Sequence, residues 1–278
     1  MQRLATTDDP DAIAASLADI AVAAGAVVME CYGRDAHARL KRDQSPVCDA
    51  DELAERLIVA RLRAIFGRVA IIAEEAASRR APLARGDAFL LVDALDGTRE
   101  FLAHNGEFAI NIALIRNGAP VAGAVYAPAM AKIWFAGRRA FACKVAPGQA
   151  LPRPDAWRAL RARPAPREGL VALVSRSRAD AQADAFLARL PVAERRIVGA
   201  SLKFCLVAEG LADVYPRFAR TMEWDTAAGD AIVRAAGGVV ISPDGAPFVY
   251  GKAEAGYANG PLVAWGDPAA ARGAETKR

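Results

Sequence analysis

Histidine is nearly missing from this chain: only His37 and His104 occur among 278 residues. A histidine nucleophile or histidine general acid is therefore disfavoured, and a zinc centre would be short of ligands. Cysteine is scarce as well. Cys31, Cys48, Cys143 and Cys205 are scattered and form no C-x-x-C pair. That argues against a zinc ribbon and for free thiols in a reducing compartment. No basic run interleaved with aromatics occurs. The small excess of Lys+Arg over Asp+Glu, 36 against 32, thus does not mark a long nucleic acid as partner, although a basic cleft for small phosphates is allowed. The N-terminal MQRLATTDDPDAIAAS has no signal-peptide core, and the apolar run Ile20 to Met29 is too short to cross a bilayer. The cytoplasm is the expected compartment. Peripheral contact with the cytoplasmic face of the inner membrane is left open, as is the choice between monomer and homodimer.

What the chain does have is centred on Phe89 to Phe101, FLLVDALDGTREF. Phe89-Leu90-Leu91-Val92 reads as a strand buried on both faces. It runs into two carboxylates, Asp93 and Asp96, followed by Gly97 and Thr98. Acids gathered at the tip of a buried strand repel one another unless something offsets their charge. A hard divalent cation does so, taking carboxylate and carbonyl oxygens. Gly97 permits close backbone approach, and free N–H groups at a following helix start can hold a phosphate. The plainer alternative is a capped turn, with Asp96 holding the backbone and Asp93 in a salt bridge.

In order along the chain, Ile13, Leu17, Ile20, Ala24, Val27 and Cys31 recur at helical spacing and predict a helix over residues 11 to 32. Residues 34 to 44 are charged and predict a loop or edge ribbon. Leu53, Leu57, Ile58, Leu62, Ile65 and Phe66 predict a second helix, which Asp49 or Asp51 can cap. Val69 to Ala73 is a strand ending in Glu74-Glu75, a second strand tip with paired acids, and residues 76 to 88 read as a loop. Glu107 to Ile115 and Val121 to Tyr126 flank the hairpin signal Asn117-Gly118, and Lys132 to Ala136 is a further strand. The Pro/Arg-rich stretch 146 to 168 is the expected boundary between two lobes, 1–150 and 151–278. Beyond it come a strand at 169 to 174, a helix to about Leu190, a helix with Leu202, Cys205, Leu206 and Leu211 inward, and a short strand at 213 to 215. A helix opening at Asp225 follows, as N-cap or as ligand, then strands at 239 to 242 and 262 to 265 and a frayed tail.

The three acidic motifs occur together: A-E-E after one strand, D-x-L-D-G-T after the next, and W-D-x-A-A-G in the second half. In that order, with NGEFAINIALIRNGAPVAGAVYAP, SLKFCLVAEG and ADVYPRF, the chain resembles the inositol monophosphatase superfamily over roughly residues 12 to 265, and within it the bacterial 3′(2′),5′-bisphosphate nucleotidases of the CysQ type. The resemblance implies an α+β fold, a layered αβαβα sandwich of two lobes with the active site between them. It implies lithium-sensitive, Mg²⁺-dependent hydrolysis of one phosphate from adenosine 3′(2′),5′-bisphosphate, a small nucleotide of sulfur assimilation, with 3′-phosphoadenylyl sulfate as a second candidate. By matching positions it implies that Glu74, Asp93 and the carbonyl of Leu95 hold one Mg²⁺, and that Asp93, Asp96 and Asp225 hold another. Thr98, oriented by Asp51, would contact the attacking water together with Glu74. Gly97 and Thr98 amides would bind the phosphate. Lys203 and Arg217 match the positions that hold the nucleotide's other phosphate, Ser201 and Asp225 would also contact the substrate, and Arg178, a further substrate contact, stands where the family has a histidine beside the base. Other departures are Ala94 for a proline, Cys48 for a threonine, Ala200 for a serine and Asp230 for a histidine. Two further readings are a phosphatase for inositol or sugar monophosphates and a non-catalytic phospholigand sensor.

Overall fold

The computed structural model describes residues 9–34, 39–40, 46–79, 87–177 and 179–275. The chain opens with α1 (Pro10–Tyr32), capped by Asp9, with Pro10 in its first turn. Its inward face uses Val28 rather than the expected Val27. By length and composition alone α1 could cross a membrane, but it packs as a core helix of this fold. A small ribbon, β1 (Arg39–Leu40) and β2 (Pro46–Val47), precedes α2 (Asp49–Phe66). The buried stripe of α2 is Ala50, Ala54, Ile58 and Leu62. Leu53, expected inside, is 44% exposed, because small alanines take the i, i+4 seam at this end of the helix.

There follow β3 (Ala70–Ala73), α3 (Glu74–Arg79), β4 (Ala88–Asp96), α4 (Thr98–Leu102), β5 (Ala109–Arg116), β6 (Ala119–Ala127), β7 (Lys132–Ala136), β8 (Ala140–Lys144) and β9 (Arg158–Ala159). The seven strands form one sheet in chain order; only the β3–β4 pair is parallel. The Asn117-Gly118 turn joins β5 to β6 with both φ angles positive, 51° and 73°, as a two-residue hairpin requires. The stretch after Glu74, expected as a loop, begins as helix. The expected boundary region contributes β9, which pairs back onto β8.

The remainder is β10 (Leu170–Ser175), α5 (Ala181–Leu187), β11 (Val192–Val198), α6 (Leu202–Ala208), β12 (Val214–Arg217), β13 (Thr221–Met222), α7 (Glu223–Ala235), β14 (Val239–Ile241), β15 (Ala258–Asn259), β16 (Leu262–Trp265) and α8 (Pro268–Glu275). The second sheet has the order β11-β10-β12-β16-β14, and β13 pairs with β15 in a separate ribbon. Leu211, expected inside, is 47% exposed, because it lies in the turn beyond α6. Of the tail, expected to fray, the described part through Glu275 belongs to α8, anchored by buried Ala271.

Alternation along the strands sorts the layers. On β4, Leu90 and Val92 face α1 and α2, whereas Phe89 and Leu91 join a core with α6 and α7. On β16, Leu262 and Ala264 face that same middle core, and Val263 and Trp265 face α5 and α8. The result is the expected αβαβα sandwich, and its middle helices come from the second half of the chain. They approach the first sheet closely: a Cβ on Gly123 would lie 2.8 Å from the carbonyl oxygen of Ala228 on α7.

Candidate active site

The β4 tip carries a register fault. Asp93 pairs with Asn111 and Asp96 with Ala109, so three steps on β4 match two on β5. In an unbroken strand, residues three apart point to opposite faces. The extra residue brings Asp93 and Asp96 into one cleft. Within the bulge Asp93 Oδ1 accepts the Leu95 N–H at 3.0 Å. Gly97 then turns the chain with φ +90°, where a Cβ would stand 3.1 Å from the Glu107 carbonyl oxygen. No other residue fits that turn without strain. The Thr98 hydroxyl is 3.4 Å from Asp51 Oδ1 and 3.3 Å from the Leu95 carbonyl.

Asp51 and Asp225 reach the site by the same local device. Neither is the N-cap: those positions belong to Cys48 and Met222. Both aspartates are the third helical residue and turn back to accept the N-cap amide, each through Oδ2 at 2.8 Å. α7 therefore starts at Glu223, two residues before the expected Asp225. The Cys48 thiol adds a 3.0 Å hydrogen bond to Asp51 Oδ2.

Glu74, at the tip of β3, Asp93 and Asp225 each offer an oxygen within 4.8 Å of the others. This is the meeting of three chain segments that the sequence motifs called for. Asp96 lines the same cleft but is outside that group; its Oδ2 accepts the Ser201 N–H at 2.5 Å and lies 3.5 Å from Asn111 Nδ2. Burial pushes the Asp93 carboxyl well up, and repulsion from Glu74, Asp96 and Asp225 adds to the rise. Burial also raises Asp96, opposed by Lys203, and lifts Asp51 to about 7 against the hydrogen bonds from Cys48. A set of oxygen donors held together at this electrostatic cost fits a hard divalent cation.

The cleft has a volume of about 420 Å³. Leu95, Gly97, Thr98, Ser201, Lys203 and Arg217 line it. Lys203 is buried, and its ammonium donates to the carbonyls of Val198 at 3.0 Å and Ala200 at 2.5 Å and sits 5.1 Å from the Tyr215 ring centre. Burial pulls its pKa down to about 8, opposed by Asp96. Arg217 is also buried and donates to Ser175 Oγ at 3.1 Å. Ser201 Oγ bonds Asn111 Oδ1 at 2.7 Å. Arg178 lies outside the described residues. Asp230 is away from the cleft lining, in a buried network with Arg234 and Tyr250.

Some site-building residues were missed in the sequence. Glu55, one turn beyond Asp51 on α2, accepts the amides of Glu75 at 2.7 Å and Ala76 at 3.0 Å, pinning the chain next to Glu74. The D-x-x-x-E spacing puts both acids on one helix face and was the available signal. Glu107 holds Arg176 in a two-bond ion pair at 2.7 and 2.8 Å and accepts the Gly199 amide at 2.7 Å. Glu100 bonds Ser177. Both contacts join residues far apart in the chain, which no local pattern reveals.

The family model for the inositol monophosphatase family matches residues 9–273. The 3′(2′),5′-bisphosphate nucleotidase CysQ of Escherichia coli strain K12 is 40% identical over 230 residues, covering 82% of this chain and 89% of that protein. Among solved structures, CysQ from Bacteroides thetaiotaomicron superposes with a TM-score of 0.75 at 35% identity, covering 91% of this chain and 97% of that one. The extragenic suppressor protein suhB from Bartonella henselae gives 0.74 at 25% identity, covering 96% and 98%.

Proposed function

The chain belongs to the inositol monophosphatase family, and from that membership we propose that it removes the 3′(2′)-phosphate of adenosine 3′(2′),5′-bisphosphate, with 3′-phosphoadenylyl sulfate as a further substrate. It is a phosphatase of the 3′(2′),5′-bisphosphate nucleotidase kind, as its relatives over most of its length indicate. Like its family it is metal-dependent, and Mg²⁺ is the ion proposed. The observation that carries the reading is the convergence of Glu74, Asp93 and Asp225 in a cleft that also holds Lys203 and Arg217.

Glu74, Asp93 and the Leu95 carbonyl would hold one ion; Asp93, Asp225 and Asp96 would hold a second, Asp96 sharing its carboxylate with the Ser201 amide. Bound there, Mg²⁺ would supply a hydroxide-like water near neutral pH and offset charge on the leaving oxygen. The protein's own part is positioning. Thr98 can give its proton to Asp51 or Leu95, which leaves its oxygen lone pairs to accept from the attacking water and aim it. Asp51 is fixed for that role by the amide and thiol of Cys48. Glu74 would take the other side of that water. The open backbone at Gly97 and Thr98 would receive the phosphate oxygens. Ser201, Lys203 and Arg217 would face the remainder of the nucleotide, and Arg178 is proposed as a substrate contact from its matched position alone. On this reading residues 1–150 form the lobe with most metal ligands, and 151–278 the lobe with Asp225 and the cations. A cytoplasmic setting suits the four free cysteines.

The test is a substrate panel at fixed pH, with Mg²⁺, with chelator and with added Li⁺: adenosine 3′,5′- and 2′,5′-bisphosphate, 3′-phosphoadenylyl sulfate and inositol 1-phosphate. Faster release from the bisphosphates, lost with chelator and reduced by Li⁺, is expected. Faster turnover of inositol 1-phosphate would transfer the assignment to the monophosphatase reading.

A further inference from the structure

Among the described residues, five cationic side chains line the cleft: Arg99, Arg176, Lys203, Arg217 and Arg220. Four of them already have protein partners. Arg176 is locked to Glu107. Lys203 spends its ammonium on two backbone carbonyls. Arg217 bonds Ser175, and Arg99 makes a long 3.4 Å contact with the Ser177 carbonyl. Arg220 differs: among the described residues it makes no hydrogen bond and no ion pair, and its side chain is exposed at the cleft.

The position of Arg220 in the chain adds to this. It lies three residues past Arg217, which ends β12, and directly precedes β13, the two-residue strand that leads into α7 and Asp225. Its backbone is thus tied to the element that delivers an acid to the metal group. β13 is itself held by the β15 ribbon and by the Asn259 side chain, which donates to the Met222 carbonyl at 2.8 Å. An arginine with a restrained backbone and an uncommitted guanidinium suits an anion that arrives with the substrate. Its planar donor fork matches phosphate or sulfate oxygens two at a time. Lys203 and Arg217 reach the same cleft with part of their donors held by Val198, Ala200 and Ser175, so Arg220 would add donors to theirs.

We propose that Arg220 is a specificity-determining residue, whose guanidinium binds the anionic group of the substrate that is not hydrolysed, a phosphate or its sulfated counterpart. This rests on the bisphosphate reading above. It adds a contact that selects a doubly anionic nucleotide over one bearing only the scissile phosphate. A charge-assisted guanidinium–phosphate contact is worth roughly ten- to hundred-fold in binding.

The experiment compares wild type, Arg220→Ala and Arg220→Lys, with KM and kcat measured for adenosine 3′,5′-bisphosphate and for adenosine 3′-monophosphate at two ionic strengths. In Arg220→Ala the KM for the bisphosphate is expected to rise about ten-fold more than that for the monophosphate, with kcat changed far less than KM. Arg220→Lys should restore part of the difference, and higher salt should shrink it. Equal KM changes on both substrates, or no change on either, would overturn the assignment of Arg220. The wild-type comparison separates the two levels. A wild type that prefers the bisphosphate while Arg220→Ala keeps that preference removes the Arg220 contact alone. A wild type with no preference for the bisphosphate removes the substrate reading as well.

Discussion

Replacing Asp93 by asparagine separates a metal ligand from a structural carboxylate. Asp93 is only 2% exposed and shares a 4.8 Å cluster with Glu74 and Asp225. With an effective dielectric of about 20, two carboxylate charges at that distance repel by about 3 kcal/mol. Protonation relieves part of this in the metal-free protein, since the Asp93 carboxyl is held well above its ordinary range. The amide keeps the shape, removes the charge and ligates a hard cation poorly. Two opposite effects are therefore expected. Without metal, the Asp93→Asn protein should melt a few degrees above wild type, because one of three crowded acids is gone. With Mg²⁺, kcat/KM should fall at least a thousand-fold, about 4 kcal/mol of transition-state stabilisation, and the metal-induced rise in melting temperature should largely vanish. The assays are thermal melts with chelator and with Mg²⁺, beside phosphate release. Activity within ten-fold of wild type with a normal Mg²⁺ response would refute the role of Asp93. A metal-free melting point below that of wild type would refute the repulsion argument.

Other expectations follow from single contacts. Glu55→Ala removes the carboxylate that accepts the Glu75 and Ala76 amides; a loss of about 2–4 kcal/mol in denaturant unfolding is expected, with a higher Mg²⁺ requirement because Glu74 loses its anchor, and an unchanged midpoint would discount the bond. Gly97→Ala forces a side chain into φ +90° with its Cβ 3.1 Å from a carbonyl oxygen, so urea titration should show a cost of about 1–3 kcal/mol. Lys203 has a folded pKa of about 8, below its ordinary 10.5. Between those values the unfolded chain binds more protons than the folded one, so this group makes stability rise with pH from 8 to 10.5. Unfolding curves across that window should show the rise in wild type and a smaller one in Lys203→Met; parallel curves would mean that Lys203 titrates normally.

Much of this fold was legible because its signals are local. The apolar run of β4 and the alternation Phe89/Leu90/Leu91/Val92 encode a strand sandwiched between two helix layers, and Asn117-Gly118 encodes its hairpin through two positive φ angles. β11 was hidden because Val192–Val198 is charged and mostly exposed: an edge strand of the second sheet need not alternate cleanly. Helix starts were misplaced for a different reason. Cys48 and Met222 are poor N-cap types, so the acids three residues on drew the boundary toward themselves while serving as back-bonding residues. The site acids were readable from three motifs in order. The β-bulge that brings Asp93 and Asp96 together, the Ser201 amide that holds Asp96, and the Glu55 clamp depend on which segments meet in space. Leu53 and Leu211 show the converse limit: apolar spacing does not by itself fix which face of α2 turns inward or where α6 stops.

The most direct measurement is anomalous scattering from crystals of the wild-type protein soaked in Mn²⁺ as a stand-in for Mg²⁺. Peaks bonded to oxygens of Glu74, Asp93 and Asp225, absent from Asp93→Asn crystals treated alike, are the expected result. A fully active enzyme whose bound metal lies beyond reach of those three carboxylates would contradict it.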